Sequence, residues 1–209
     1  MSLIKVILFD FDGTLVDSMG DLADIASDVI LKYYKLSKNY GEMLYKLTSG
    51  LPFCRQIEMM FCDCEKNKLA VDEFETRKKS SFKEHRLFDD TIETIGYLRE
   101  KGYMTIISSN NFKEVIEDYL SASGLKIDEV LGFSGGLSKG RSHVEYLSDK
   151  YGFQKDEIVL VGDSLKDAEL AKECGISFIG KTGLNEREGF LALYRMKIID
   201  NLLELKEIL

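Results

Sequence analysis

Asp10 and Asp12 stand one residue apart, directly after the apolar, β-branched run Leu3-Ile4-Lys5-Val6-Ile7-Leu8-Phe9 and just before Gly13. The run predicts a short buried strand and the glycine predicts a turn. Two carboxylates at the mouth of such a strand are costly unless something offsets their charge. A divalent cation and a reacting phosphate would do so. Three more sets of reactive groups follow apolar runs: Ser108 after Tyr103–Ile107, Lys139 within Ser134–Gly140, and Asp163 with Asp167 after Ile158–Val161. A hydroxyl can donate to phosphate oxygens, a lysine supplies a point charge, and carboxylates suit a hard cation such as Mg²⁺.

These groups need a scaffold that brings them to one edge. From Asp89 onward, helical and strand patterns alternate, which predicts a parallel α/β sheet. Expected strands are Tyr103–Ile107, Glu129–Phe133, Ile158–Val161 and Ile176–Ile179, with Met196–Ile199 as an edge strand. Expected helices lie over Ile92–Leu98, Phe112–Ser121, Arg141–Tyr151 and Leu165–Cys174, with a final one over Leu202–Leu209. Ligands of open parallel sheets bind outside the carboxyl ends of the strands, where all the candidate groups fall.

Between the two acids and this alternating region the period is helical throughout. Leu22, Ile25, Val29, Ile30 and Tyr33 mark one helix over 19–35, and Met43, Leu44 and Leu47 a second over 40–47. Phe53, Ile57, Met60 and Phe61 form a third stripe, with Pro52 suited to its first turn, and a fourth helix is expected from Val71 to His85. The chain therefore divides into an α/β, Rossmann-like core of residues 1–17 and 88–209 and an inserted all-helical cap of residues 18–87.

The run Asp10-Phe11-Asp12-Gly13-Thr14-Leu15 resembles the first motif of the haloacid dehalogenase superfamily. The order of Ser108, Lys139 and Gly162-Asp163-Ser164-Leu165-Lys166-Asp167 resembles its remaining three motifs, and the helical insertion falls where that family places one type of cap. The resemblance implies that Asp10 is a nucleophile forming an aspartyl-phosphate and that Asp12 is the general acid and base. It implies Mg²⁺ held by Asp10, the Asp12 main chain and Asp163, with Asp167 reaching the metal through water or orienting Lys139. Ser108 would bind phosphate, favoured over Ser109 by its place directly after the apolar run. Lys139 precedes Gly140 where relatives often carry proline, and Arg141 is the fallback cation. Arg55, soon after Ser49-Gly50-Leu51-Pro52, resembles a substrate-contacting cap position. A dehalogenase is disfavoured because those relatives lack the second aspartate.

Composition narrows the partners. Twenty-eight basic against 36 acidic side chains give a net charge of −8, which argues against a nucleic-acid or anionic-membrane surface. No apolar run approaches the roughly 18 residues of a membrane span, and no signal-peptide pattern precedes the first strand. The cysteines, Cys54, Cys62, Cys64 and Cys174, do not make a four-ligand zinc site. They read as buried reduced thiols of a cytoplasmic protein, and His85 and His143 as ordinary structural or surface residues. The expectation is a cytoplasmic, Mg²⁺-dependent phosphatase of a small phosphorylated metabolite, monomeric or homodimeric, resembling the phosphoglycolate phosphatase and β-phosphoglucomutase group. A phosphomutase would share every core residue, and a non-catalytic binding protein would keep the scaffold without turnover.

Overall fold

Val6–Phe9 form strand β1, four apolar residues no more than 2% exposed. Burial on both faces is what a central parallel strand requires. After Val16–Asp17 (β2) come four helices, α1 (Met19–Tyr34), α2 (Lys38–Leu47), α3 (Phe53–Met60) and α4 (Cys64–Ser81), then a single 3₁₀ turn at Phe82–Glu84. The chain continues through β3 (Arg86–Leu87), α5 (Thr91–Glu100), β4 (Met104–Phe112), α6 (Lys113–Ser123), β5 (Glu129–Phe133) and α7 (Arg141–Tyr151). It closes with β6 (Ile158–Gly162), α8 (Leu165–Cys174), β7 (Ser177–Lys181), α9 (Arg187–Leu193), β8 (Lys197–Ile199) and α10 (Leu205–Ile208). This computed structural model describes residues 4–193 and 196–209; Leu3, at the start of the first expected strand run, lies outside them.

Two units divide the chain, one of the residues up to Asp17 with Leu87–Leu209, the other Ser18–Arg86. The first holds a six-stranded sheet in the order β5-β4-β1-β6-β7-β8, with every pair parallel. Phe9 lies level with Ile107 on one side and Val161 on the other. The residues that follow, Asp10, Ser108 and Gly162, therefore come level at one edge. The core beneath is built from Val6, Leu8, Ile106, Leu131, Val144, Leu147, Ile158 and Leu160.

The second unit packs α1 to α4 around Leu22, Ala26, Val29, Ile30, Tyr45, Phe53, Ile57 and Phe74. The Phe53 and Phe74 rings stack at 3.9 Å. A side chain at Gly41 would meet the Ser27 backbone at 3.1 Å, so the glycine sets how closely α2 approaches α1. Among the described residues, no helix is long and apolar enough to cross a membrane.

Several boundaries differ from the sequence pattern. Helix α4 begins at Cys64 rather than Val71, because Asp63 caps it by accepting the Lys66 N–H at 3.1 Å. Its first turns carry few apolar residues, so periodicity alone misses them. Strand β4 runs on to Phe112, with a register shift against β5 between Ser108 and Phe112. Helix α9 was not expected, and the last expected helix splits into a 3₁₀ turn (Leu202–Glu204) and α10. All four cysteines are free, but only Cys174 is buried. Cys62 and Cys64 flank the capping Asp63 and are exposed with it.

Candidate active site

The sheet edge gathers Lys139 and three carboxylates, Asp10, Asp163 and Asp167. Asp10 continues β1, its N–H donating to the Val161 carbonyl at 2.9 Å. Asp163 follows β6, and Ser164 caps α8 by accepting the Asp167 N–H at 3.1 Å, which sets Asp167 in the first helical turn. A side-chain carbon at Gly162 would fall 2.5 Å from Asp167 Oδ2, so glycine leaves the space that this carboxylate fills. Lys139, in the loop before α7, pairs with Asp10 Oδ1 and lies 2.5 Å from Asp167 Oδ1. All four side chains are buried.

Asp10, Asp163 and Asp167 each offer an oxygen within 4.8 Å of the other two. Asp163 Oδ2 is buried without a hydrogen-bond partner. Burial drives the Asp10 carboxyl up to about 7; Lys139 opposes the rise and Asp167 adds to it. Burial, then Asp10 and Asp167, push Asp163 well above the carboxylate range. Burial works against the Lys139 ammonium, but Asp10 and Asp167 outweigh it and hold its pKa above that of an ordinary lysine. Carboxylates held at this cost, with Asp163 Oδ2 and Asp167 Oδ2 both lacking a hydrogen-bond partner, are a donor set that fits a hard divalent cation.

Asp12 is half-buried at the start of the turn, and its Oδ2 accepts a hydrogen bond from Asn111 Nδ2 at 2.8 Å. Gly13 takes φ +78°, and its N–H donates to the Val16 carbonyl, three residues further on, at 2.8 Å. Ser108 is buried with Oγ 2.9 Å from His143 Nδ1. Ser109 is also buried, and its Oγ accepts the Asn111 N–H at 3.1 Å. Arg55 is exposed on α3 and pairs with Glu58 at 2.9 Å.

Other residues also reach this edge, among them His143, which the sequence marks only as an ordinary structural or surface residue. His143 is fully buried, and burial lowers its pKa to about 4 against an opposing hydrogen bond with the Gly132 backbone. It is therefore a neutral partner of Ser108. Asn110 Oδ1 accepts the Lys139 N–H at 3.3 Å, and Asn185 Nδ2 donates to the Asp163 carbonyl at 3.0 Å. Lys181 is buried at the end of β7, with Nζ 3.3 Å from the Gly13 carbonyl and 3.8 Å from the centre of the Phe88 ring. Its position after Ile176–Ile179 was a usable signal, since strand ends carry the site. Nothing local marks Asn185.

The haloacid dehalogenase-like hydrolase family model matches residues 7–181. The chain belongs to the haloacid dehalogenase-like hydrolase family. Among curated relatives, the phosphoglycolate phosphatase of Haemophilus influenzae (strain 86-028NP) is 27% identical over 192 residues, covering 85% of each chain. That of Aquifex aeolicus is 27% identical over 220 residues, covering 95% of this chain and 98% of the relative. A haloacid dehalogenase-like family hydrolase from Streptococcus pneumoniae shares the fold at a TM-score of 0.85 and 20% identity, covering 100% of this chain and 99% of the other. A family hydrolase from Deinococcus radiodurans, solved with bound phosphate and sodium, superposes at 0.72 with 18% identity, covering 100% and 96%.

Proposed function

We propose that this hydrolase is a Mg²⁺-dependent phosphatase of a small phosphorylated metabolite. The observation that carries the reading is the Lys139 ammonium bound to both Asp10 and Asp167, beside an Asp163 whose buried oxygen lacks a partner. Relatives named phosphoglycolate phosphatase make phosphoglycolate the first substrate to assay. Four free cysteines fit a cytoplasmic setting, and a net charge of −8 fits a small anion drawn in by local cations.

Asp10 and Asp163, with the Asp12 main chain, are the groups that would hold Mg²⁺. When bound, the cation would offset the charge of both the carboxylates and a phosphate monoester. Asp167 supports the alternative role expected of it, fixing Lys139. Lys139 keeps Asp10 in place and presents positive charge to the phosphoryl oxygens. An Asp10 oxygen bonds to phosphorus as the ester P–O bond breaks, and Asp12 gives its proton to the departing alcohol. Water then attacks the aspartyl-phosphate, Asp12 takes a proton from that water, and phosphate leaves with Asp10 restored. The hydroxyls of Ser108 and Ser109 are rival phosphate donors, and Arg55 keeps the substrate-contacting role that the resemblance gives it.

The test is turnover of phosphoglycolate and a panel of phosphorylated sugars and nucleotides with Mg²⁺, comparing the native protein with Asp10→Asn. Phosphate release by the native chain and none by the variant is expected. Unchanged turnover in the variant would refute the reading.

A further inference from the structure

We infer that Asn111 is a positioning residue for the proton transfers of Asp12, an inference that rests on the phosphatase reading above. Asn111 Nδ2 donates to Asp12 Oδ2 at 2.8 Å across 99 positions of sequence. The carboxylate decides the orientation of the amide, since the reverse would set two acceptors face to face. The amide donates to this carboxyl group whether or not Asp12 carries its proton, so it holds one rotamer through both half-reactions.

The backbone around Asn111 is arranged to aim that one amide. Its N–H is taken by Ser109 Oγ at 3.1 Å. Register against β5 shifts between Ser108 and Phe112, which removes this stretch from the regular ladder. Opposite it, Gly132 has no side chain where a carbon would meet Lys113 N and Cα at 2.6 Å and the Asn111 carbonyl at 2.8 Å. Close approach of the two strands at this point is possible only with glycine there. A polar residue held this firmly, with its side chain on a reacting carboxylate, has a task beyond packing.

Leaving-group chemistry separates positioning from mere folding. 4-Nitrophenolate departs without a proton, whereas the alcohol of phosphoglycolate needs one, and kcat/KM reports the step in which each leaves. For Asn111→Ala, kcat/KM on phosphoglycolate should fall about tenfold or more, in the range of general acid catalysis. On 4-nitrophenyl phosphate the fall should be under about threefold. Equal losses on both substrates, or no loss on either, would overturn the inference. A native protein that turns over neither substrate would count against the phosphatase reading instead. The positioning role then still faces a crystal structure of Asn111→Ala, in which a displaced or multiply oriented Asp12 carboxylate is expected. An Asp12 unmoved in that structure would overturn it without any assay.

Discussion

Lys139 and Asp167 form a buried ion pair at 2.5 Å, and the same ammonium binds Asp10 Oδ1. Neither partner is solvated, so each group's charge depends on the others. The lysine is locked between two acids from different strand ends, β1 and the β6–α8 turn. That linkage makes the site respond as a unit to loss of one member.

Lys139→Met should leave Asp10, Asp163 and Asp167 facing one another without their shared cation. Activity should fall on the order of 10²–10³-fold, the range for loss of one donor to developing negative charge. The variant should also melt lower at pH 8 than at pH 5.5, because protonation relieves the repulsion. Steady-state kinetics and thermal melts at both pH values check this, and a pH-independent loss of stability would contradict it.

Cation binding should stabilise the protein more as pH rises. The Asp10 pKa stands at about 7, above its ordinary 3.8, so folding favours its protonated form. That contribution is complete below about pH 4 and is lost as pH rises through 7, and Asp163 acts in the same direction. Mg²⁺ binding requires the ionised carboxylates and offsets this loss. The melting shift on adding MgCl₂ should therefore be larger at pH 8 than at pH 5.5, and chelation should reverse it. An equal shift at both would be the contrary result.

His143 should work in the opposite direction with acid. Its pKa is lowered from 6.5 to about 4, so its contribution is present above 6.5 and lost as pH falls between those values. The full loss is about 3 kcal/mol at roughly 1.4 kcal/mol per pH unit. His143→Gln keeps a hydrogen-bonding group for Ser108 and removes the titration. Urea unfolding of the two proteins from pH 7 to 4 should show the native stability falling relative to the variant. Parallel curves would refute it.

Two glycines should respond oppositely to alanine. Gly132→Ala meets the Lys113 backbone at 2.6 Å and should cost about 1–3 kcal/mol, as overpacking does. By displacing Asn111, it should also reproduce the leaving-group-dependent loss of Asn111→Ala. Gly96, exposed within α5, has nothing within 4 Å of an added carbon. Gly96→Ala should stabilise by about 0.5–1 kcal/mol with activity unchanged. Denaturant melts and kcat/KM on both substrates read the pair.

Local periodicity and end signals made much of the architecture legible. Apolar runs located β6 closely and the end of β1, which starts at Val6 within the expected Leu3–Phe9 run, because a strand buried on both faces writes itself as consecutive apolar residues. Helical stripes found α1, α2 and α3 for the same kind of reason. Helix α4 was truncated because its first turns have no apolar stripe, and only the Asp63 cap announces them. Strand β4 outran its apolar stretch because polar residues 108–111 continue its extended backbone at a sheet edge where side chains face a site rather than a core.

Residue order in one dimension determined which chemical groups the chain carries at strand ends: Asp10, Asp12, Ser108, Lys139, Asp163 and Asp167. Tertiary structure alone decided their partners. Strand order set β1 between β4 and β6 and so brought Asp10, the Ser108–Asn111 stretch and Asp163 to one edge. It turned Lys139 onto two acids, gave the Ser108 hydroxyl to a buried neutral His143, and aimed Asn111 at Asp12. A hydrogen bond or ion pair between residues a hundred positions apart leaves no periodic trace, because its geometry comes from sheet register and from close approaches such as that at Gly132.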